Sequence, residues 1–465
     1  MFGRKIKVPE KLHRVWEIFN SHGHSVYLVG GAVRDELLGK KSHDWDLATD
    51  AAPEQVMSIF KRVIPTGIAH GTVTIHIMGL ELETTTFRTD STYTDGRHPD
   101  SVQYTSDINE DLSRRDFTMN AIACSLEDGS LIDPFGGEED IKKGIIRTVG
   151  NPLERFDEDG LRPVRAVRFA GQLGFKIEEN TLRALSDKKV LERTAGISVE
   201  RFRDEFMKIM SCPQPSLSLK LLEDTGIMNL FIPEFKVCRG CIQNDGRGFH
   251  EFDVADHILY SCDGIPAEYP LVRLAAFYHD IGKPECRTVE EKDGARLFHF
   301  HHHEAVSEKK AQASMTHLKF SNEEIKHVCH LVKEHMFFYE SSWSDAAVRR
   351  FIIRIGLENL DELFMLRLGD VYGMHRVPMA ESSPSWKGLL ELKDRIKSIT
   401  EKNNALSLKD LAVSGKDLIE KGIPAGKVMG MILKELLECV IESPDMNDRD
   451  KLLNTALNIY RVKFS

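Results

Sequence analysis

Residues 27–50 read YLVGGAVRDELLGKKSHDWDLATD. A short apolar run, VYLV (26–29), meets Gly30 and Gly31. A helix-like segment, AVRDELL, follows and closes at Gly39. Two glycines permit a tight turn and close approach of the backbone to a ligand. Strand, glycine turn and helix start together offer backbone N–H groups to phosphate. Arg34 stands one turn in, where its guanidinium adds a charged fork. Asp44 and Asp46 then lie two apart in HDWDLAT, so strand periodicity puts both carboxylates on one face. Neighbouring carboxylates repel, and two Mg²⁺ ions relieve that repulsion while binding nucleotide phosphates. Such a pair activates an attacking hydroxyl and stabilises the leaving oxygens of an in-line displacement. A third carboxylate is expected from a neighbouring strand. Glu83, in LELETTTFR and on the face of Glu81, is the candidate.

The rest of the chain sets the frame. At 465 residues it is too long for a single core. The 41% hydrophobic and 29% charged residues are those of a globular protein. A net charge of −10 argues against coating by nucleic acid yet permits a local basic track. No run of eighteen apolar residues appears, so no membrane span is expected. The segment at 1–19 reads as a first amphipathic helix rather than a signal. Eight scattered cysteines suggest no disulfide framework and a reducing cytoplasm. The C-x-x-C of Cys238 and Cys241 lacks the second pair that a zinc site wants. Strand signals (VYLV, DWDLAT, TVTIHI, LELETTTF) crowd into 1–150, and helical period dominates afterwards. The expected divisions are a head at 1–150, a neck at 151–215, a helical body at 216–385 and a helical tail at 386–465.

LVGGAVRD followed by DWDLAT resembles the nucleotidyltransferase superfamily that includes DNA polymerase beta. In detail it resembles the bacterial-type tRNA nucleotidyltransferase and poly(A) polymerase family. RRDFTMNAIA (114–123), LIDPFGGEEDIKKGIIRTVG (131–150), EDGLRPVRAVRFA (158–170) and ISVERFRDEFMKIM (197–210) continue the likeness in order. The resemblance implies an α+β head with a small mixed sheet, followed by an all-α neck, body and tail. It implies a metal-assisted enzyme acting on tRNA with CTP and ATP, and no protein partner or membrane is expected. Asp44 and Asp46 would hold Mg²⁺, with Glu83 beside them. Gly30, Gly31, Arg34, Arg115, Arg165 and Arg168 would contact phosphate or sugar. Asp159 and Arg162, three apart and read as helix neighbours, would form an amino-acid template. A carboxylate takes the exocyclic amino group and a guanidinium donates to the ring nitrogen. That edge is shared by cytosine and adenine and reversed in uracil and guanine. Pro163 requires that the helix start near Asp159 or kink there. The polar stretch 86–105 resembles the loop that helps the family switch from C to A. An enzyme adding only A, or a poly(A) polymerase, shares every one of these motifs.

A second pattern runs through residues 250–375. HDIGK (279–283), with His257 upstream and His303, His335 and Asp370 downstream, resembles the HD metal-dependent phosphohydrolase superfamily. The resemblance assigns His257, His279, Asp280, His303, His335 and Asp370 to a transition metal or Mg²⁺. Two of these have independent support from helical spacing. In SNEEIKHVCHLVKEH a Ser321–Glu324 capping box starts a helix on which Val328, Leu331, Val332 and His335 share one face. Asp370 shares a face with Leu363 and Leu366 in the same way. This block carries the competing reading, a phosphohydrolase with a retired head. A non-catalytic RNA-binding protein is the third.

Overall fold

The computed structural model describes residues 5–40, 45–90, 102–246, 248, 250–292, 294–401 and 407–464. Two compact units emerge: residues 1–236 with 317–320, and residues 237–316 with 321–465. The break at 236 lies beyond both the expected head and the expected neck, which share the first unit.

Among the described residues, the strands of the first unit begin with nine: β1 (Val26–Val29), β2 (Trp45–Thr49), β3 (Val63–Gly67), β4 (Thr72–Ile77), β5 (Leu80–Thr86), β6 (Arg88–Asp90), β7 (Val102–Tyr104), β8 (Ala123–Ser125) and β9 (Leu131–Ile132). Seven form one mixed sheet in the order β3-β4-β5-β2-β1-β8-β9, and β6 pairs with β7 separately. β2 and β5 run parallel, whereas β1 pairs antiparallel with both β2 and β8. β1 is therefore central, and Val26, Leu28 and Val29 are all buried. β5 alternates, with Leu82, Thr84 and Thr86 buried and Glu81 and Glu83 exposed, the pattern of a strand with one solvated face. The first helix, Glu10–Ser21, buries Leu12, Val15 and Phe19.

Two short strands, β10 (Ile145–Ile146) and β11 (Lys176–Ile177), pair parallel across residue 150. They tie the helix Arg162–Leu173 to the head. That helix begins at Arg162 with Pro163 in its first turn, where the missing N–H costs nothing. Asp159 lies outside it, in extended conformation after the helix Pro152–Glu158. The expected helical pairing of Asp159 with Arg162 is thus corrected: the proline sets the start three residues later.

The second unit is helical except for a hairpin, β12 (Thr288–Lys292) and β13 (Ala295–His299). The hairpin corrects the all-helical expectation for the body, because its charged, exposed strands carry no apolar alternation. The Ser321–Glu324 capping box starts the helix Asn322–Glu334, and Val328, Leu331 and Val332 are buried on it. The HDIGK motif leaves the end of a helix instead of riding on it, because Pro270–Tyr278 stops just before His279. In the tail the apolar run KGIPAGKVMGMILKELLECVI is broken by a turn, and its helix starts at Lys427. Ile432, Leu436 and Val440 then pack with Leu418, Leu452 and Ala456 in a separate core. Among the described residues, no helix is long and apolar enough to cross a membrane.

Candidate functional site

The glycine turn is required at one position. Gly30 has φ +71°, and a Cβ there would stand 3.2 Å from the Arg115 guanidinium and 3.8 Å from an Asp46 carboxylate oxygen. At Gly31 a Cβ would meet the flexible tip of Arg34 at 3.4 Å, ordinary contact. Gly30 therefore lets the backbone pass between an arginine and the strand carboxylate. Asp44 lies outside the described residues. Asp46 pairs in register with Glu83 across the parallel β2–β5 ladder, so both side chains leave the same face of the sheet. Residues 91–101 of the expected switching loop are also outside the described residues.

One cleft of about 460 Å³ collects Gly30, Gly31, Arg34, Asp46, Arg115, Asp159, Arg162, Arg165 and Arg168. Sequence reading missed Arg114, Asp116, Asn120, Phe169 and Gln172 on its wall. The signal for four of them was present, since Arg114, Asp116 and Asn120 sit inside the RRDFTMN motif and Phe169 inside EDGLRPVRAVRFA. Arg34 donates to Asn120 Oδ1 at 2.9 Å. Arg165 donates through two nitrogens to Asp116, at 2.9 and 2.7 Å. Burial alone raises the Asp116 carboxyl, but Arg165 and the Asn120 amide hold it down at about 2. The guanidinium of Arg168 lies 3.9 Å from the centre of the Phe169 ring, with Arg34 and Arg165 at 5.1 and 5.4 Å. Phe169 thus serves as an aromatic floor beneath three cations.

The template residues are held by other partners. Asp159 accepts from the Leu161 N–H at 2.9 Å and from Arg201 at 2.9 Å. Arg162 pairs with Glu158 and donates to the carbonyls of Arg155 and Arg114 at 2.8 and 2.9 Å. Both side chains still face the one cleft. Its donor set toward a metal is carboxylate oxygen, the hard ligand that Mg²⁺ prefers.

The six residues of the HD pattern converge in the second unit, all buried. His257, His279 and Asp370 form one group, and Asp280, His303 and His335 form another. His257 Nε2 stands 3.1 Å from His279 Nε2 and 3.3 Å from Asp370 Oδ1. His303 Nε2 stands 3.2 Å from His335 Nε2. Ligands about 2.1 Å from one ion are separated by about 3.0–3.4 Å, which these spacings match. Asp280 joins the groups: Oδ2 lies 3.1 Å from His257 and Oδ1 lies 3.0 Å from His303. Nδ1 of His279, His303 and His335 faces the carbonyls of Ala276, Phe300 and Val332 at 2.6, 2.7 and 2.6 Å. A carbonyl only accepts, so Nδ1 carries the proton and Nε2 turns its lone pair inward, as in metal-bound histidines. Burial pushes the His279 imidazolium down, but Asp280 and Asp370 outweigh it and hold it up at about 10, so an ion that binds there displaces the Nε2 proton. Two buried carboxylates demand positive charge there, and a divalent cation meets the same demand.

Cys238 and Cys241 are free, buried thiols, and burial pushes both up. Neither belongs to a metal-ligand group among the described residues, and both pack as small apolar side chains.

Comparison with known proteins decides the family. A model of the poly A polymerase head domain matches residues 26–147, and one of the RNA and SrmB-binding site of polymerase A matches residues 174–238. A tRNA nucleotidyltransferase domain 2 model matches residues 291–456. The CCA-adding enzyme of Lactobacillus gasseri is 35% identical over 429 residues, 92% of each chain. This chain belongs to the CCA-adding enzyme family. The CCA-adding enzyme of a Geobacillus strain is 48% identical over 224 residues, and that match spans about half of the relative, 54%. A crystal structure of the Bacillus stearothermophilus CCA-adding enzyme in complex with CTP superimposes with a TM-score of 0.70, at 28% identity, covering 98% of both chains. The Thermotoga maritima CCA-adding enzyme complexed with tRNA shares the fold at 20% identity, with a TM-score of 0.56 and 98% of this chain covered.

Proposed function

We infer that this chain adds C, C and A to tRNA 3′ ends from CTP and ATP, without a nucleic-acid template. The observation that carries the reading is one cleft in which Asp46 faces both Asp159 and Arg162. A strand carboxylate for transfer and a side-chain pair for base choice thus share a single cavity. The tRNA 3′-hydroxyl attacks the α-phosphate, the new P–O bond forms in line, and pyrophosphate leaves. Asp46 would hold a divalent metal, Mg²⁺ by the donor set, with Asp44 by sequence spacing and Glu83 by register. Such a metal would supply activation of the hydroxyl and neutralisation of charge on the leaving oxygens. Arg34, Arg115, Arg165 and Arg168 line the path of the triphosphate. Asp159 accepts the exocyclic amino group and Arg162 donates to the ring nitrogen, so both first exchange their present partners, Arg201 and Glu158. The helical second unit grips the tRNA by shape and backbone. Eight free cysteines fit a reducing cytoplasm.

The test supplies tRNA ending before, within and after CCA with labelled CTP and ATP, separately and together, in Mg²⁺. Two C additions and one A, then arrest, uphold the reading. A alone, added to tRNA ending in CC, makes the chain an A-adding enzyme. Unlimited A on any RNA makes it a poly(A) polymerase, and no incorporation removes the transferase reading.

The convergence of six buried ligands favours a second reading beside the first: a metal-dependent phosphohydrolase at His257, His279, Asp280, His303, His335 and Asp370. Its substrates would be 2′,3′-cyclic phosphates or 2′-nucleotides at RNA ends. The imidazole and carboxylate donors suit a transition metal, or Mg²⁺ with weaker affinity. Lys283 forms an ion pair with Asp280 at 2.6 Å and donates to Gln243 at 2.9 Å, which holds a positive charge against the shared carboxylate. Release of phosphate from adenosine 2′-monophosphate in Mn²⁺, abolished by His279→Ala, tests it; no release removes it.

A further inference from the structure

A cavity of about 210 Å³ opens in the second unit, with Phe337, Phe338, Tyr339, Arg367 and Met379 on its wall. Two links join it to the centre. Phe337 follows His335 by two residues in the chain. Arg367 donates to Asp370 Oδ2 at 3.0 Å, and the other oxygen of that carboxylate faces His257 and His279.

The wall is both rigid and sticky. Phe337 packs against Phe351 and Phe364, with ring centres 5.4 and 5.8 Å apart. The Tyr339 hydroxyl donates to Glu391 at 2.9 Å and accepts from Arg395 at 3.3 Å, so its ring is clamped. Phe338 lies between Phe337 and Tyr339 in the chain and is 71% exposed. An exposed ring in a cavity that an arginine also lines is a stacking platform for any base. The cavity is smaller than drug-sized ligand sites of roughly 300–1,000 Å³, a size that suits one base and its ribose.

We propose that this cavity seats the nucleobase of the nucleotide whose phosphate is hydrolysed at the six-ligand centre, stacked on Phe338 with Arg367 spanning base and phosphate. The proposal rests on the phosphohydrolase reading. In the reaction, water oxygen forms the new bond to phosphorus, the ester P–O bond breaks, the ribose oxygen takes a proton, and phosphate departs. The base stays on the platform while the phosphate reacts, so the site prefers nucleoside phosphates over base-free esters.

The test uses the full chain with Asp159→Ala, which disables base reading in the head, and with Mn²⁺ added. Two quantities are measured: hydrolysis of adenosine 2′-monophosphate against glycerol 2-phosphate, and equilibrium dialysis of labelled adenosine 2′-monophosphate. Phe338→Ala is expected to raise KM and the dissociation constant for the nucleotide roughly tenfold. It leaves kcat and the hydrolysis of glycerol 2-phosphate unchanged, and Phe338→Trp restores binding. Unchanged KM and binding in Phe338→Ala overturn the proposal. If neither ester is hydrolysed, the phosphohydrolase reading falls alone. Dialysis then decides the cavity: weaker retention in Phe338→Ala upholds it as a nucleotide site, and equal retention removes it.

Discussion

The cleft of the first unit and the centre of the second solve opposite problems with the same residue types. In the cleft, charged groups are held by partners that a substrate can displace: Asp159 by Arg201, Arg162 by Glu158. In the centre, three imidazoles are locked by backbone carbonyls and share buried carboxylates. A large anionic substrate that enters and leaves at every addition needs the first kind of site. An ion that stays needs the second, because pre-oriented ligands lose little entropy on binding.

The comparison predicts that each site can be destroyed without the other. Asp46→Asn is expected to lower nucleotide incorporation roughly a thousandfold or more, with tRNA binding by gel shift and phosphate release unaffected. Equal loss of tRNA binding would make Asp46 structural. Asp280→Asn removes the carboxylate shared by both ligand groups, so metal content by mass spectrometry should fall by about tenfold or more. Incorporation by the head should stay within about twofold of normal, since the two sites share no residue. A parallel fall in incorporation would mean that the two units share one ion or one fold transition.

These two sites differ in how much of them the chain announces. Asp46 and Glu83 are placed by strand period and a ladder, and the alternation of LELETTT reveals which face is solvated. His335 and Asp370 fall on apolar helical stripes, and both are buried where the stripes predict. The template was misread for a local reason: helical spacing was extended back through Pro163, although a proline so placed marks a first turn. Arg201 was invisible as a partner of Asp159 because the pair spans forty-two residues and three intervening helices. The β12–β13 hairpin was equally silent, since its strands are exposed and charged and carry no period. Local periodicity encodes faces; it does not encode which faces meet.

Smaller effects probe how loosely the cleft is held. Gly30→Ala forces a side chain onto φ +71° against Arg115, at a cost of about 1–3 kcal/mol. KM for both nucleotides should rise, and thermal unfolding of the first unit should come earlier. A normal KM would show that Arg115 moves freely aside. Arg201→Ala frees Asp159 from its present geometry. Discrimination between CTP and UTP is then expected to weaken by roughly tenfold in kcat/KM, with little change in melting. Unchanged discrimination would mean that Arg201 merely parks the carboxylate between additions.

The last of these effects concerns Asp116, and its sign follows from linkage. Its carboxyl titrates at about 2 in the folded chain against an ordinary 3.8, so the folded state prefers the charged form. The Asp116–Arg165 pair therefore contributes fully above pH 4 and loses its contribution as pH falls from about 4 to about 2. The size is about 2 kcal/mol, from a depression of nearly two units at about 1.4 kcal/mol each. Urea unfolding measured from pH 5 to pH 2 should show this slope in the unsubstituted chain. Asp116→Asn leaves Arg165 without its charged partner and is less stable at neutral pH. Its curve should converge on the unsubstituted one as pH approaches 2, because protonation removes the same charge that the substitution removes. Curves that stay parallel over the whole range would show that Arg165 finds another anion in the cleft. The guanidinium would then be a mobile phosphate ligand rather than a strut.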